Sequence, residues 1–384
     1  MHIPFGEDKL NRKTLILAII LVAVILVSAF AALNWLNSPA AIPEFYVGVE
    51  VAYKNATVSD VRAMVDRVKD YTNLFVIGSI ELTFNETALN ESCDYIYNAG
   101  LKIVVLLTNV TMYSFNTTTW LTQAQQKYGS GFLGLYRYDE PGGDQLDNPA
   151  ARFVSNATSY AETAERYTEA LRGHVDFYVG SADRIFTADY GLYWWDYKTN
   201  YTALFAEFVG NQSRQRHIGL CRGAASAHGK DFGTIITWKY DNAPFLENGT
   251  ELYNDLKLAY AAGAKYIIVF DYPKIGPYGT LGDDHFAALQ NFWEYSHQNP
   301  QVFGSIKSDV AYVAPKDYGF GFRSATDNIW GLFPADQYSE KIWNDVNILI
   351  SRYDTRLDIL FDDANLPAVQ GNYGTLFFWN ETVT

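Results

Sequence analysis

The sequence predicts an α/β protein built on a closed eight-stranded parallel barrel, preceded by a transmembrane helix and followed by a small α/β unit. Three observations predict this. Apolar runs and amphipathic helices alternate eight times between residues 45 and 300, which is the order and size of a (β/α)8 barrel. The runs are continuously apolar, as expected for parallel strands covered on both faces. A shorter series of strand, helix, strand and strand occupies residues 301–384.

The elements follow in order. Residues Tyr46 to Ala52 read as strand 1, and Val61, Met64, Val65 and Val68 then recur at helical spacing within 58–71. Strand 2 is 74–80, followed by a helix over 87–98 that Gly100 closes. Strand 3, "KIVVLLT", is 102–108, with a helix over 118–128. Strand 4 is 132–138, with a helix over 155–171. Strand 5 is short, 185–188, with 175–179 as its competitor, and a short helix covers 190–197. Strand 6, "ALFAEF", is 203–208, with a helix over 214–227. Strand 7 is 233–238, with a helix over 252–262, and strand 8 is 266–270, with a helix over 284–297. In the last unit the strands are 310–314, 357–361 and 375–379, around a helix over 339–353. It reads as a small Rossmann-like module.

No charged residue stands between Thr14 and Pro43, and residues 15–36 are long and apolar enough to span a bilayer. Lys9, Arg12 and Lys13 precede this run, so residues 1–13 are expected in the cytoplasm, 14–36 in the membrane, 37–44 as a linker and the rest outside. A cleaved signal peptide ending at Ala29-Phe30-Ala31 is the alternative, which would release a secreted protein. Ten Asn-x-Ser/Thr sequons begin at Asn55, Asn85, Asn90, Asn109, Asn116, Asn156, Asn200, Asn211, Asn248 and Asn380. Composition alone would give about three, so an exported, N-glycosylated surface is expected. A net charge of −14 argues against a nucleic-acid partner, which needs a basic face. Cys93 and Cys221 are the only cysteines. They fall in the helices after strands 2 and 6, on opposite sides of a barrel, so no disulfide is expected. No zinc, EF-hand, Walker or dinucleotide spacing occurs, and neither metal nor cofactor is expected.

Chemistry in such a barrel belongs at the C-terminal ends of the strands. There the sequence places Glu81, Asp139 and Glu140, Asp189, Glu207 and Asp271, among Tyr136, Tyr138, Tyr190, Tyr193, Trp194, Trp238, Tyr240 and Tyr272. Paired carboxylates with aromatic platforms suit glycoside hydrolysis, in which one acid protonates the leaving oxygen and the other attacks or activates water. Each acid also has a plain structural role open to it. Glu140 could cap the segment after it, Glu207 could pair with Arg137 or Arg222, Asp271 could cap a loop, and Asp189 could cap the next helix.

The stretch "YDEPGG" at 138–143 resembles the Asn-Glu-Pro or Asp-Glu-Pro ending of strand 4 in barrel glycoside hydrolases. The resemblance implies that Glu140 is the acid/base and that Asp139 contacts a sugar hydroxyl. From their places at the barrel rim, Tyr138, Asp189, Trp238, Tyr240 and Tyr272 are expected as further substrate contacts. Glu207 or Asp271 is then the second catalytic carboxylate. Those families often carry a nucleophile at the end of strand 7; here that end reads "TWKYDNAP", with Asp241 three residues past Trp238 and no Glu. The whole chain is similar to a group of exported archaeal proteins carrying YDEPGG. Its tail, "DVAYVAPKDYGFGFR" onward, resembles the amidotransferase-like accessory domain behind some glycoside hydrolase barrels, and it lacks a nucleophilic Cys. The expected function is a membrane-anchored, extracellular glycoside hydrolase-like protein acting on cell-surface or environmental glycan. The alternative is a non-catalytic surface or envelope protein that binds glycan.

Overall fold

The computed structural model describes residues 43–108 and 110–383. The predicted anchor and Asn109 lie outside these. Among the described residues no helix is long and apolar enough to cross a membrane.

Eight parallel strands close into a barrel in sequence order. They are β1 (Tyr46–Val51), β2 (Leu74–Ile77), β3 (Lys102–Leu107), β4 (Phe132–Arg137), β5 (Ile185–Asp189), β6 (Ala203–Phe208), β7 (Asp231–Ile236) and β8 (Tyr266–Asp271). Pairing of β1 with β8 seals the ring. Alternate side chains point opposite ways along each strand. Tyr46, Leu74, Val76, Val104, Phe186, Phe205, Tyr266 and Ile268 fill the lumen, while Val47, Val49, Ile77, Val105, Leu204 and Val269 pack outward against the helices.

The helices around the barrel are α1 (Val58–Val68), α2 (Ile80–Thr83), α3 (Glu86–Asn98), α4 (Thr117–Tyr128), α5 (Pro141–Asp147), α6 (Tyr160–Asp176), α7 (Tyr193–Asp196), α8 (Arg214–Ala227), α9 (Gly249–Ala262) and α10 (Asp283–Gln298). Thr57 caps α1 and Asn248 caps α9 in reciprocal capping boxes. Asn85, Asn116 and Ser159 cap α3, α4 and α6 through side-chain oxygens.

Four local readings change. Strand 2 stops at Ile77 and the chain enters α2. The helix expected at 155–171 starts at Tyr160, where Ser159 supplies the cap, and runs to Asp176. Residues 175–179, the competitor for strand 5, therefore begin as the end of that helix. Residues 141–147, for which the sequence predicts no helix, form a helix with Pro141 in its first turn, a place where its missing N–H costs nothing.

Behind the barrel, β9 (Val310–Ala314), β10 (Leu357–Phe361) and β11 (Thr375–Phe378) form a parallel sheet in the order β10-β9-β11. Helices α11 (Ser339–Tyr353) and α12 (Leu366–Val369) accompany it. This sheet packs directly on α8. Gly219 and Gly223 lie one helical turn apart, and a Cβ on either would stand 2.7 or 2.8 Å from the carbonyl oxygen of Leu357 or Ile359. Glycine is needed there so that β10 can approach. Arg222 seals the contact, donating from Nε to Asp358 at 2.9 Å. It is a structural residue and not a partner of Glu207.

Cys93 and Cys221 are free and fully buried. Burial pushes both thiols up, away from the reactive thiolate. Titration of the native protein with a thiol reagent is therefore expected to find no reactive group, and titration after denaturation without reductant to find two. A denatured, unreduced protein with no titratable thiol would contradict this arrangement.

Candidate active site

The corner after β4 is held by a carboxylate from the next strand. Asp189 ends β5 with its side chain outside the lumen. Its Oδ2 accepts from Gly142 N at 2.6 Å, and its Oδ1 accepts from Gly143 N at 3.1 Å and Tyr190 N at 2.7 Å. The first N–H groups of α5, which no helical carbonyl can satisfy, thus find their acceptor across the barrel rim. A Cβ at Gly142 would lie 2.5 Å from Asp189 Oδ2, which explains the small residue. Asp189 is fully buried. It caps α5 and does not face the cleft, so the expectation that it contacts substrate is corrected.

Two residues of the corner adopt left-handed backbone without being glycine: Tyr138 at φ 59° and Glu140 at φ 50°. Such conformations persist only where the surroundings impose them, and they concentrate at functional sites. Here Glu140 N donates to Ala188 O at 3.1 Å, and Asp144 N donates to Glu140 O at 2.8 Å. Thr187 Oγ1 donates to the Tyr138 carbonyl. These bonds turn the Glu140 side chain over the barrel mouth.

At that mouth lies a cavity of about 360 Å³, bordered by Glu50, Asp139, Glu140, Glu207, Trp238 and Tyr272. Glu207 sits on β6 in phase with the lumen residues Ala203 and Phe205, and its carboxyl is hydrogen-bonded to that of Glu140. Burial pushes both carboxyls up; Asp139 raises Glu140 further while the hydrogen bond with Glu207 lowers it, and Glu140 and Asp139 both raise Glu207. Two touching carboxyls cannot both ionise readily, so they hold a proton between them at neutral pH. Asp139 opens to the water of the cleft while protein crowds round it, and desolvation raises it to about 6. Tyr136 donates its phenolic proton to Asp139.

Glu50 is a member that sequence reasoning missed. It stands on β1 at 2% exposure, with Oε2 lacking any hydrogen-bond partner. Desolvation first and Asp139 second push it well up. The available signal was a lone acid in "YVGVEV", of the same kind that singled out Glu207 in "ALFAEF".

The aromatic wall is narrower than expected. Trp238 and Tyr272 stack at 5.5 Å between centroids, with Phe270 beside them at 6.4 and 6.2 Å. Tyr240 lies outside this cavity, and Tyr138 faces a neighbouring chamber. Tyr193 and Trp194 are buried: Tyr193 donates to the Asp189 carbonyl, and Trp194 to Asp363 at 2.9 Å. Glu81 borders the cavity from α2. Asp271 does not share the cavity with Glu140. It is in phase with the outward residues Ile267 and Val269, and its Oδ1 accepts from Thr280 N at 2.6 Å and Thr280 Oγ1 at 3.0 Å. It closes the loop after β8, which corrects its candidacy as the second catalytic carboxylate.

Of the nine described sequon residues, all but Asn90 are exposed. Asn90 is half-buried, and its Oδ1 accepts from Trp120 Nε1 at 2.9 Å. Among the described residues no group of three or more His, Cys, Asp or Glu is arranged to hold a metal ion.

No family model matches the sequence, and no curated protein matches it. Solved structures do. The α-L-fucosidase isoenzyme 2 from Paenibacillus thiaminolyticus superposes with a TM-score of 0.51 at 11% identity, over 87% of this chain and 60% of its own. The likeness is one of fold. The chain spans about 60% of that enzyme's length. Weaker matches include an endo-1,4-beta-mannanase from Eisenia fetida, with a TM-score of 0.44 at 9% identity over 65% of this chain and 91% of that one. A GH99 endo-alpha-mannosidase from Bacteroides thetaiotaomicron matches with a TM-score of 0.38 at 13% identity over 64% and 80%.

The buried acids make a prediction independent of any activity. A carboxyl whose folded pKa is raised binds its proton more tightly in the folded than in the unfolded chain. Its burial then costs nothing below the unfolded pKa and destabilises increasingly as pH rises towards the folded pKa. For Glu140 that window runs from 4.5 to about 8. The Glu140→Gln protein should therefore gain on wild type in denaturant stability as pH rises through this range, with little difference below it. A difference that stays flat or shrinks towards pH 8 would show that Glu140 is not desolvated.

Proposed function

We propose that this protein is an outward-facing glycoside hydrolase-like barrel, anchored by residues 15–36, that cleaves glycan with Glu140 and Glu207. The observation that carries this reading is the proton-sharing contact between those two carboxyls beneath a stacked Trp238–Tyr272 wall. Glycosidic cleavage needs one protonated and one ionised carboxyl across the scissile bond, and a coupled pair supplies both at neutral pH. Entry of a sugar between them replaces their mutual hydrogen bond. Glu140, held at the rim by its backbone hydrogen bonds, then gives its proton to the leaving oxygen. Glu207, fixed in a strand, faces the positive charge developing at the anomeric carbon. It completes the reaction as nucleophile or as base for water, and the anomer of the product distinguishes the two. Asp139, braced by Tyr136, and Glu50 are placed to accept hydroxyl protons of the same sugar. Aromatic faces supply apolar stacking for the ring.

Glycan binding without cleavage is the second reading. It is favoured by the end of β7, where Thr237 and Trp238 stand without an acid, and by the direct contact of Glu140 with Glu207, closer than the ~5–9.5 Å that working pairs keep.

A panel of glycans separates the two. Cleavage by wild type, reduced about 10²–10⁴-fold in Glu140→Gln with the thermal transition intact, is the expected result. Unchanged turnover in the variant would remove Glu140 from the acid role. Binding without cleavage by wild type on every glycan would leave the second reading. For the anchor, intact-mass measurement of membrane-extracted protein should retain residues 15–36, and a mature N-terminus near Ala32 would replace the anchor by a signal peptide.

A further inference from the structure

The cleft does not end at Asp139. A second chamber of about 520 Å³ opens beside it, and Ile80, Leu106 and Asp139 border both. Its inner wall carries Arg137, the last residue of β4, which is only 8% exposed. Three other enclosed arginines of the chain have carboxylate partners. Arg214 pairs with Glu247 and Asp255, Arg222 with Asp358, and Arg323 with Asp147 and Asp327. Arg216 also has an unpartnered Nε, but both its Nη atoms donate, to Phe322 O and Asn347 Oδ1, and it lies over the Trp343 ring. Arg137 differs. Among the described residues it has no carboxylate within ion-pair reach, its Nε has no hydrogen-bond partner, and its Nη2 meets only His174 Nδ1 at 3.5 Å. Tyr138 and Tyr178 flank the guanidinium, with their ring centroids 5.7 and 5.8 Å from Cζ.

A buried, uncompensated guanidinium is costly, and an unpaired one facing a cavity is most simply explained by an anion that enters the cavity. His174 does not compete for that anion as a second cation, because burial and the adjacent Arg137 hold its pKa down. The two acids that face the chamber are otherwise engaged. Asp144 accepts from Tyr138 OH at 3.2 Å and Asn148 Nδ2 at 2.9 Å, and Asp139 accepts from Tyr136. A planar guanidinium matches a carboxylate in a two-bond fork. The rings of Tyr138, Tyr178 and Phe177 give the remaining wall an aromatic surface.

We propose that this chamber is a subsite for a carboxylate-bearing sugar, a uronic acid residue, held by Arg137. The inference rests on the reading of the Glu140 cleft as a glycan site and names the class of glycan it takes. In a protein of net charge −14, whose charged cleft residues are mainly acids with Lys54 as a cation on the border, the buried guanidinium of Arg137 gives an acidic sugar a favourable place in this chamber.

The test compares methyl β-glucuronide, methyl β-glucoside and glucose 6-sulfate by ligand-observed NMR titration of the full chain, with Arg137→Met and Arg137→Lys. Wild type is expected to bind the glucuronide at least 10-fold more tightly than the glucoside, and raising salt from 50 to 500 mM should weaken only the acidic sugar. Arg137→Met should equalise the two affinities. Arg137→Lys, which keeps the charge and loses the fork, should retain only part of the preference, and it serves as the readout if the methionine variant does not fold. Equal binding of glucuronide and glucoside by wild type would overturn the subsite and leave the glycan reading standing. A preference unchanged in the variants would remove Arg137 from it. Tighter binding of the sulfate than of the glucuronide would overturn the uronic acid assignment. Failure of wild type to bind any of the three sugars would count against the glycan reading of the cleft, and the subsite would fall with it.

Discussion

The Asp189 carboxylate is the fixed point of this molecule. Three backbone N–H groups from two segments converge on it, and the segments are the two that must agree for the cleft to exist. Gly142 and Gly143 open α5, and Tyr190 starts the loop after β5. With those bonds made, Glu140 has little choice of direction. Its own N–H is held by Ala188, and its carbonyl is already the first acceptor of α5. The left-handed backbone at Glu140 is unfavourable for a side chain with a Cβ. It is sustained because the Glu140 N–H and C=O and the Tyr138 C=O are held by Ala188, Asp144 and Thr187.

The cleft that results concentrates carboxyls, with Lys54 as a cation on its border. Glu50, Asp139, Glu140 and Glu207 share one cavity, and desolvation raises the pKa of each. Folding alone would not select such a group, since buried carboxyls without cationic partners oppose the compact state. Proteins tolerate local instability of this kind where chemistry needs it. The same reasoning applies with opposite sign to Arg137, a cation buried without an anion in the chamber beside the acids.

The segment between β9 and α11 braces this region. Gln145 of α5 donates to Trp330 O at 3.0 Å, Trp330 packs on Trp195 at 4.6 Å, and Arg323 pairs with Asp147 at the end of α5. Helix α5, only seven residues long, is thus gripped at its start by the barrel and along its length by the chain beyond it. A short helix has little intrinsic stability, so these contacts set its position, and with it the position of Glu140.

How much of this was legible in advance differs by level. The alternation of strands and helices is a local property, carried by apolar runs and capping residues such as Thr57, Ser159 and Asn248, and it could be read directly. So could the corner at Asp139 and Glu140, because two acids before Pro-Gly-Gly have no ordinary turn role. The second carboxylate could not be chosen, for a physical reason. Strands buried on both faces lack polar alternation, so nothing local says which parity faces the lumen. Glu207 and Asp271 both stand at the end of an apolar run. The closed register puts Glu207 in phase with Phe205 and inside, and Asp271 in phase with Val269 and outside. The same ambiguity hid Glu50 and made Asp189 look like a substrate contact. Sequence by itself determined the elements, their order and the residue types available at the barrel mouth. Only the tertiary structure decided which of those acids meet, because strand parity becomes a direction only once the barrel closes.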